Sequence, residues 1–191
     1  LQVSSASRFK KGDRVMVYRP AEAEWIQSLK CDVFGGGIGA LGWKRGDADL
    51  NWDRTIESIH GNMITLNAPL SMALDEANAQ NNASSKVLRY IWNGRIADSG
   101  VENLTLISDY DRQYPKDENH AWTGVSIDNA ENCWVRNVDF KQFAGSAVIV
   151  QHHASNVTVE DCISTNPVSE IAGMRRRTFY TLGQHTLFQR C

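Results

Sequence analysis

A short pattern of apolar and polar positions recurs four times in the second half of the chain. Its copies occupy residues 101–106, 130–135, 154–159 and 183–188. Each copy has a corner residue at its third position, and these corners are Asn103, Asn132, Asn156 and His185, spaced 29, 24 and 29 residues apart. A strand that returns at a fixed offset with a period in the twenties is typical of a stacked solenoid.

The side chains after each corner predict how the copies stack. The first and third positions after the corner are mostly apolar, and alternate residues of a strand share a face, so this face points inward. A second apolar run precedes each of the last three copies, at 125–127, 148–150 and 178–182. Each repeat therefore has at least two strands, paired in parallel with the next repeat. An antiparallel sandwich, the competing fold, does not explain this repetition.

The corner asparagines have a structural explanation. Asparagine tolerates the left-handed backbone region and can hydrogen-bond to nearby backbone groups. In stacked repeats, Asn103, Asn132 and Asn156 would form a ladder of side-chain amides, with His185 at an equivalent position. We therefore assign these residues to the scaffold and not to chemistry.

The first third of the chain follows another pattern. A strand is predicted at 15–18 and a short helix after Pro20, with Trp25, Ile26 and Leu29 on one face. Residues 55–59 and 63–66 flank a turn at 60–62 and predict a hairpin. The predicted organisation is a small antiparallel β subdomain at 1–75, a linker at 76–86 and parallel repeats at 87–191.

The charge, hydropathy and cysteine content of the chain limit the classes of partner and bound group to be considered. The net charge of −2 gives no reason to expect nucleic acid, and no apolar run is long enough for membrane insertion. Cys133, Cys162 and Cys191 fall in apolar columns without close Cys-x-x-Cys spacing, which favours buried free thiols over a bridge or zinc site. Because the last repeat ends at Cys191 without a cap, we expect a fragment that lacks its leader and C-terminal coils.

The repeat block resembles the right-handed parallel β-helix proteins of the pectate-lyase-like superfamily. The strand, corner and strand pattern over residues 87–191 carries the resemblance, and the runs 109–111, 115–118 and 167–171 look like an uncharacterised bacterial branch. The resemblance implies an all-β, secreted, periplasmic or cell-surface protein that acts on or binds polysaccharides, often acidic ones. The catalytic motifs of polygalacturonase-like hydrolases and pectate lyases are absent, so no catalytic residue is transferred.

One group of candidate residues lies between the first two copies. Asp109, Asp111, Asp117 and Glu118 could supply oxygen ligands to calcium, the one cofactor considered. Their spacing matches no EF-hand, which favours a solvated loop. His120 and Trp122 follow directly and are candidate substrate-binding residues, with core packing as the alternative for the tryptophan.

A second group lies before the last copy. Arg175 and Arg177 are candidates to neutralise a substrate carboxylate, Glu170 and His152 are candidate bases, and Arg176 is a candidate binding residue. The alternative is a charged corner in which the arginines pair with Glu170. For His152, corner packing is the alternative.

Two functions follow from these candidates. The leading hypothesis is a lyase or glycoside hydrolase on an acidic polysaccharide, and the alternative is a non-catalytic glycan-binding or surface-display module. A structural spike would require trimer-forming apolar faces, which the sequence does not show. A base and a cation within reach of one sugar would distinguish the enzyme from the binder.

Overall fold

The computed structural model describes residues 1–34, 41–74 and 85–191. These residues divide into two compact units, Leu1–Ile91 and Trp92–Cys191. Strands dominate both units, and the described residues include a single short α-helix. The all-β class predicted from the sequence is therefore confirmed.

The first unit is built on an antiparallel sheet. Its strands are β1 (Arg14–Arg19), β2 (Leu50–His60), β3 (Met63–Leu66) and β4 (Lys86–Arg89), in the order β3-β2-β1-β4. The β2–β3 pair confirms the predicted hairpin, and Gly61 takes a φ of 59° in its turn. Val15, Ile56 and Ile64 form the core of this sheet.

The predicted short helix is also present. Helix α1 spans Ala23–Ser28 and buries Trp25 and Ile26. Leu29 was expected on the same face but is 46% exposed, because the helix ends before it and Leu29 is its C-terminal cap. The six residues of α1 are too few for Leu29 to complete the apolar stripe.

The boundary between the units differs from the sequence estimate. Strand β4 pairs antiparallel with β1, so residues 86–89 belong to the first sheet. The sequence predicts that the parallel repeats start at residue 87, a position that lies inside this strand. Residues 76–84 of the predicted 76–86 linker lie outside the described residues.

The second unit contains two parallel sheets. The larger sheet is formed by β5 (Ile96–Ala97), β6 (Gly100–Ile107), β8 (Ala130–Lys141), β10 (Ser155–Glu160), β11 (Ile163–Thr165) and β13 (Gln184–Gln189). The smaller sheet is formed by β7 (Thr123–Ile127), β9 (Ser146–Val150) and β12 (Phe179–Thr181). Along the chain, each strand of the smaller sheet lies between two strands of the larger sheet. Every pairing in this unit is parallel among the described residues.

The register places like residues above one another. Val135 pairs with Val159, and Val159 pairs with Phe188, as the repeat predicted. Val135 and Val159 are fully buried, whereas Leu187, one position before Phe188 and on the opposite face, is 49% exposed. The inner face forms one apolar cluster with the buried residues of the smaller sheet, including Val148 and Val150.

Two columns of left-handed residues run across the larger sheet. One column contains Asp98, Asn132, Asn156 and His185, with φ values of 52–55°. The other lies five positions further along the chain and contains Asn103, Asn137, Asp161 and Arg190, with φ values of 50–60°. Side-chain bonds link neighbours in each column, for example Asn156 Nδ2 to Asn132 Oδ1 at 3.2 Å.

This arrangement corrects one of the predicted corners. We aligned Asn103 with Asn132, but the register of β6 and β8 pairs Val101 with Val135 and Leu104 with Val138. Asn103 therefore belongs to the second column, and Asp98 takes the position beside Asn132. The ladder expected for Asn132, Asn156 and His185 is present.

Cys31, Cys133, Cys162 and Cys191 are free thiols, and the sequence had favoured buried free thiols at the last three. Cys133 and Cys162 are buried, which agrees with the apolar columns. Cys191 is exposed, contrary to the prediction, because it lies beyond β13 at the edge of the larger sheet.

Candidate functional site

Most of the predicted site residues lie on two loops of the second unit. The first loop, residues 108–122, connects β6 to β7, and the second, residues 166–178, connects β11 to β12. Because both loops leave the same stack of parallel strands, residues far apart in sequence can meet there. They do meet, through Glu118 of the first loop and Arg175 of the second.

Glu118 and Arg175 form a two-point ion pair. The Nε and Nη2 atoms of Arg175 donate to Glu118 Oε1 and Oε2 at 2.7 and 2.8 Å. Glu118 Oε1 also accepts the backbone N–H of Glu170 at 3.1 Å. The bond from Arg175 is the main cause that lowers the pKa of Glu118 from 4.5 to about 2. Glu118 is therefore an anion at neutral pH and not a general acid.

Trp122 lies beside this pair. Arg175 Cζ is 5.2 Å from the centre of the indole ring, within the range of a cation–π contact. The indole N–H donates to the carbonyl of Glu118 at 3.0 Å, and the side chain remains 37% exposed. Trp122 thus holds its ring at the surface, contrary to the core alternative.

Glu170 has a different partner from the one considered in the sequence. Lys116 Nζ donates to Glu170 Oε2 at 2.9 Å, and both side chains are more than half exposed. Sequence analysis missed Lys116, although it lies in the run 115–118, because a single lysine has no motif of its own. We call Lys116, Glu118, Trp122, Glu170 and Arg175 the loop cluster.

The backbone on both sides of Arg175 is unusual. Met174 has a φ of 67° and Arg176 a φ of 56°, both in the left-handed region. For a residue other than glycine this conformation costs about 1–2 kcal/mol, so the surrounding contacts must hold it. One such contact is the bond from Arg176 N–H to the Ala144 carbonyl at 3.3 Å. The left-handed conformations of Met174 and Arg176 thus set the direction of the backbone on both sides of Arg175.

Arg176 and Arg177 make structural contacts. The Arg176 guanidinium donates to the carbonyl of Ser169, a fully buried residue, at 2.8 Å. Arg177 lies over the ring of Tyr180, with its Cζ 5.1 Å from the ring centre. The structure therefore places both arginines outside the loop cluster, although the sequence grouped all three together.

His120 bridges the two loops. Its Nε2 lies 3.0 Å from the carbonyl oxygens of Asp117 and Val168, which only accept, so Nε2 carries the proton. Its Nδ1 is 2.6 Å from Ser108 Oγ. Both ring nitrogens are engaged within the protein, so His120 connects the two loops, and substrate binding by this residue stays a prediction.

His152 does not join the other candidates. It follows the end of β9, whereas Ser146, at the start of β9, hydrogen-bonds to the Arg177 carbonyl. The five residues of β9 span about 13 Å, which separates His152 from the arginines. The neighbouring His153 pairs with Asp128 at 3.3 Å. The convergence of His152 with Glu170 and Arg175 is therefore not found.

The predicted calcium ligands do not fit a metal site. Asp117 accepts the backbone N–H groups of Asp111 and Asn119, and these bonds lower its pKa. Asp111 accepts the N–H of Gln113, and Glu118 is paired with Arg175. Across the described ranges, no three His, Cys, Asp or Glu side chains gather closely enough to hold a metal ion. The acidic residues shape the turns of the first loop.

A shallow depression opens beside these turns. It has a volume of about 470 Å³ and is lined by Asp109, Tyr110, Asp111, Tyr114, Asp117 and Asn119. Tyr114 is 64% exposed there. The first loop therefore presents aromatic side chains both here and at Trp122.

Comparisons with known proteins provide no family assignment. No protein-family model matches the chain, and searches of the curated proteins and of solved structures also find no significant match. Within residues 1–34, 41–74 and 85–191, no helix has the length and apolar character needed to cross a membrane.

Proposed function

We propose that the second unit is part of a right-handed parallel β-helix of the pectate-lyase-like kind. Three features support the proposal: the parallel in-register pairing of β8, β10 and β13, the alternation of two sheets along the chain, and the continuous apolar face between them. A secreted, periplasmic or cell-surface location is part of the same proposal and rests on the sequence resemblance.

We further propose that the loop cluster binds an acidic polysaccharide. The observation that carries this proposal is the two-point pair of Arg175 with Glu118 next to the exposed ring of Trp122. A uronate carboxylate offers the same pair of oxygens as Glu118, and a sugar ring can pack on an indole. In this view Glu118 occupies the position of the ligand carboxylate until a glycan replaces it.

A polysaccharide lyase or hydrolase is the second candidate. The supporting observation is Glu170, whose side chain is 54% exposed and is paired with Lys116. A lyase needs a base and a cation that neutralises the substrate carboxylate, and Glu170 and Arg175 could take these roles. Binding comes first in our proposal, because both acids of the cluster are already paired with cations in the free protein.

The test compares binding of uronate-containing and neutral oligosaccharides to the wild-type protein and four variants. Arg175→Ala should weaken uronate binding at least tenfold and leave any binding of neutral glycans unchanged. Glu118→Gln should keep or strengthen uronate binding, because it removes the competing carboxylate. Binding should also weaken as salt rises, since exposed charges are screened over roughly 8–10 Å at physiological ionic strength.

Arg136→Ala is the matched control. Arg136 also pairs with a glutamate, Glu102, at 3.1 Å and lies 5.1 Å from the ring centre of a tryptophan, Trp134, but on strand β8. This variant should bind uronates like the wild type. Equal loss in both arginine variants, or no preference for uronates, would overturn the binding proposal. The absorbance of unsaturated uronates in the same samples tests for lyase activity, and Glu170→Gln should abolish it.

A further inference from the structure

Two cysteines occupy equivalent positions at neighbouring strand ends. Strands β10 and β13 pair in register up to Glu160 and Gln189. The alignment continues beyond them, because Asp161 N–H donates to the Gln189 carbonyl at 3.2 Å and the Arg190 side chain binds Asp161. Cys162 and Cys191 are the next residues after these aligned positions.

The two sulfur atoms also have equivalent surroundings. Cys162 Sγ lies 3.7 Å from the Val135 carbonyl and 3.2 Å from that of Glu160. Cys191 Sγ lies 3.6 Å from the Val159 carbonyl and 3.2 Å from that of Gln189. Val135 and Val159 are themselves register partners, so the thiols are related by one strand step, about 4.8 Å.

This spacing permits a cross-link. Cysteines joined by a disulfide have Cα atoms roughly 4.4–6.8 Å apart, and one strand step falls within that range. We propose that Cys162 and Cys191 form a dithiol that a low-molecular-weight disulfide converts, reversibly, into an intrachain disulfide between the ends of β10 and β13. The proposal does not rest on the polysaccharide function.

The exposure of the two residues sets the order of the steps. Cys191 is exposed, whereas Cys162 is buried, and this burial raises the pKa of the Cys162 thiol. The Cys191 thiolate therefore attacks the external disulfide first, forming a mixed disulfide and releasing one thiolate of the reagent. The Cys162 thiol then loses its proton and attacks the Cys191 sulfur, releasing the second thiolate. Two electrons pass from the protein to the reagent.

The experiment treats the protein with oxidised glutathione at low protein concentration. A Cys31→Ser background is used, because Cys31 is only partly buried and could form its own adduct. After quenching with acid, free thiols are counted by alkylation of the denatured chain, and the linked peptides are identified by mass spectrometry. We expect this protein to lose two thiols, retain no glutathione and contain a Cys162–Cys191 peptide. Excess dithiothreitol should restore both thiols.

Three variants in the same background separate the steps. Cys162→Ser should stop with one glutathione on Cys191, and Cys191→Ser should leave Cys162 reduced. Cys133→Ser should form the cross-link normally, since Cys133 is buried but pairs with Val157 instead of a cysteine. Circular dichroism checks that each variant folds. A persistent glutathione adduct on Cys191 with Cys162 present, or a cross-link between two chains, would overturn the proposal.

Discussion

Asn137 donates its side-chain amide to Asn103 Oδ1 at 2.8 Å, across the paired strands β6 and β8. This bond defines a second column of left-handed residues beside the one that contains Asn132 and Asn156. Two such columns therefore cross the large parallel sheet in each repeat, and each depends on residues that tolerate a positive φ.

Replacing Asn156 should show how much the first column of left-handed residues contributes to the stability of the fold. Asn156 bonds to Asn132 at 3.2 Å and to His185 Nδ1 at 3.0 Å, with a φ of 55°. Asn156→Leu loses both bonds and strains the left-handed backbone, and we expect it to lower the free energy of unfolding by about 1–3 kcal/mol. Chemical denaturation measures the change.

Asn156→Gly is the matched control, because glycine keeps the left-handed backbone and loses only the side-chain bonds. It should cost clearly less than Asn156→Leu. If the two variants were equally stable, the backbone conformation would not be the reason for asparagine at this position.

A glycine in strand β7 is required by close packing. A Cβ at Gly124 would lie 2.5 Å from Phe140 Cδ1 and 2.7 Å from the Ala147 carbonyl oxygen. Gly124→Ala should therefore destabilise the protein by about 1–3 kcal/mol. Gly173→Ala is the control, because a Cβ there meets nothing within 4 Å, and its effect should stay within about 0.5 kcal/mol. Thermal melts of the two variants should differ in this direction, and similar melting temperatures would contradict the packing argument.

The two faces of the larger sheet should respond differently to truncation. Val135→Ala removes two methyl groups from a fully buried position and should cost about 1.5–3 kcal/mol. Leu187→Ala removes more atoms but from a side chain that is 49% exposed, and it should cost less. Urea denaturation compares them, and a larger loss in Leu187→Ala would mean that the inner and outer faces are wrongly assigned.

Acid should weaken the loop cluster through Glu118. Its pKa is lowered on folding, from 4.5 to about 2, so the stabilisation it contributes is complete above pH 4.5 and is lost as the pH falls towards 2. Glu118→Gln lacks this titration. The stability difference between the wild type and this variant should shrink over that interval, as measured by denaturation at a series of pH values. A difference that is constant with pH would show that Glu118 is not paired with Arg175 in solution.

The sequence predicted the inner face of the strands, but it did not predict the alignment of every repeat with its neighbour. Apolar alternation identified the inner face at Val135, Val159 and Phe188, and the structure agrees. It failed at Asn103 because the pattern Glu-Asn-Leu at 102–104 resembles Glu-Asn-Cys at 131–133. Both left-handed columns accept asparagine, so side-chain type alone could not tell them apart.

Every residue of the loop cluster except Lys116 was predicted from the sequence, but the pairings between them were not. Glu118 and Arg175 were both selected from the sequence, but as a metal ligand and a catalytic cation, since 57 positions separate them. Only the packing of two loops brings them into contact. The sequence places His152 at a corner but does not show where that corner lies in the fold. His152 follows the C-terminal end of β9, whereas the Arg177 carbonyl bonds to Ser146 at the other end of this strand.

The two left-handed columns also determine where the chain can change its length. The two columns are five positions apart in every repeat. The distance from one repeat to the next along the first column varies instead, being 34, 24 and 29 residues at Asp98, Asn132, Asn156 and His185. All of this variation lies in the connections outside the two columns, including the loops that carry Glu118 and Arg175. Insertions, deletions and grafted segments should therefore be tolerated in the connections and rejected between the columns, so that new surfaces can evolve or be engineered while the parallel sheet keeps its register.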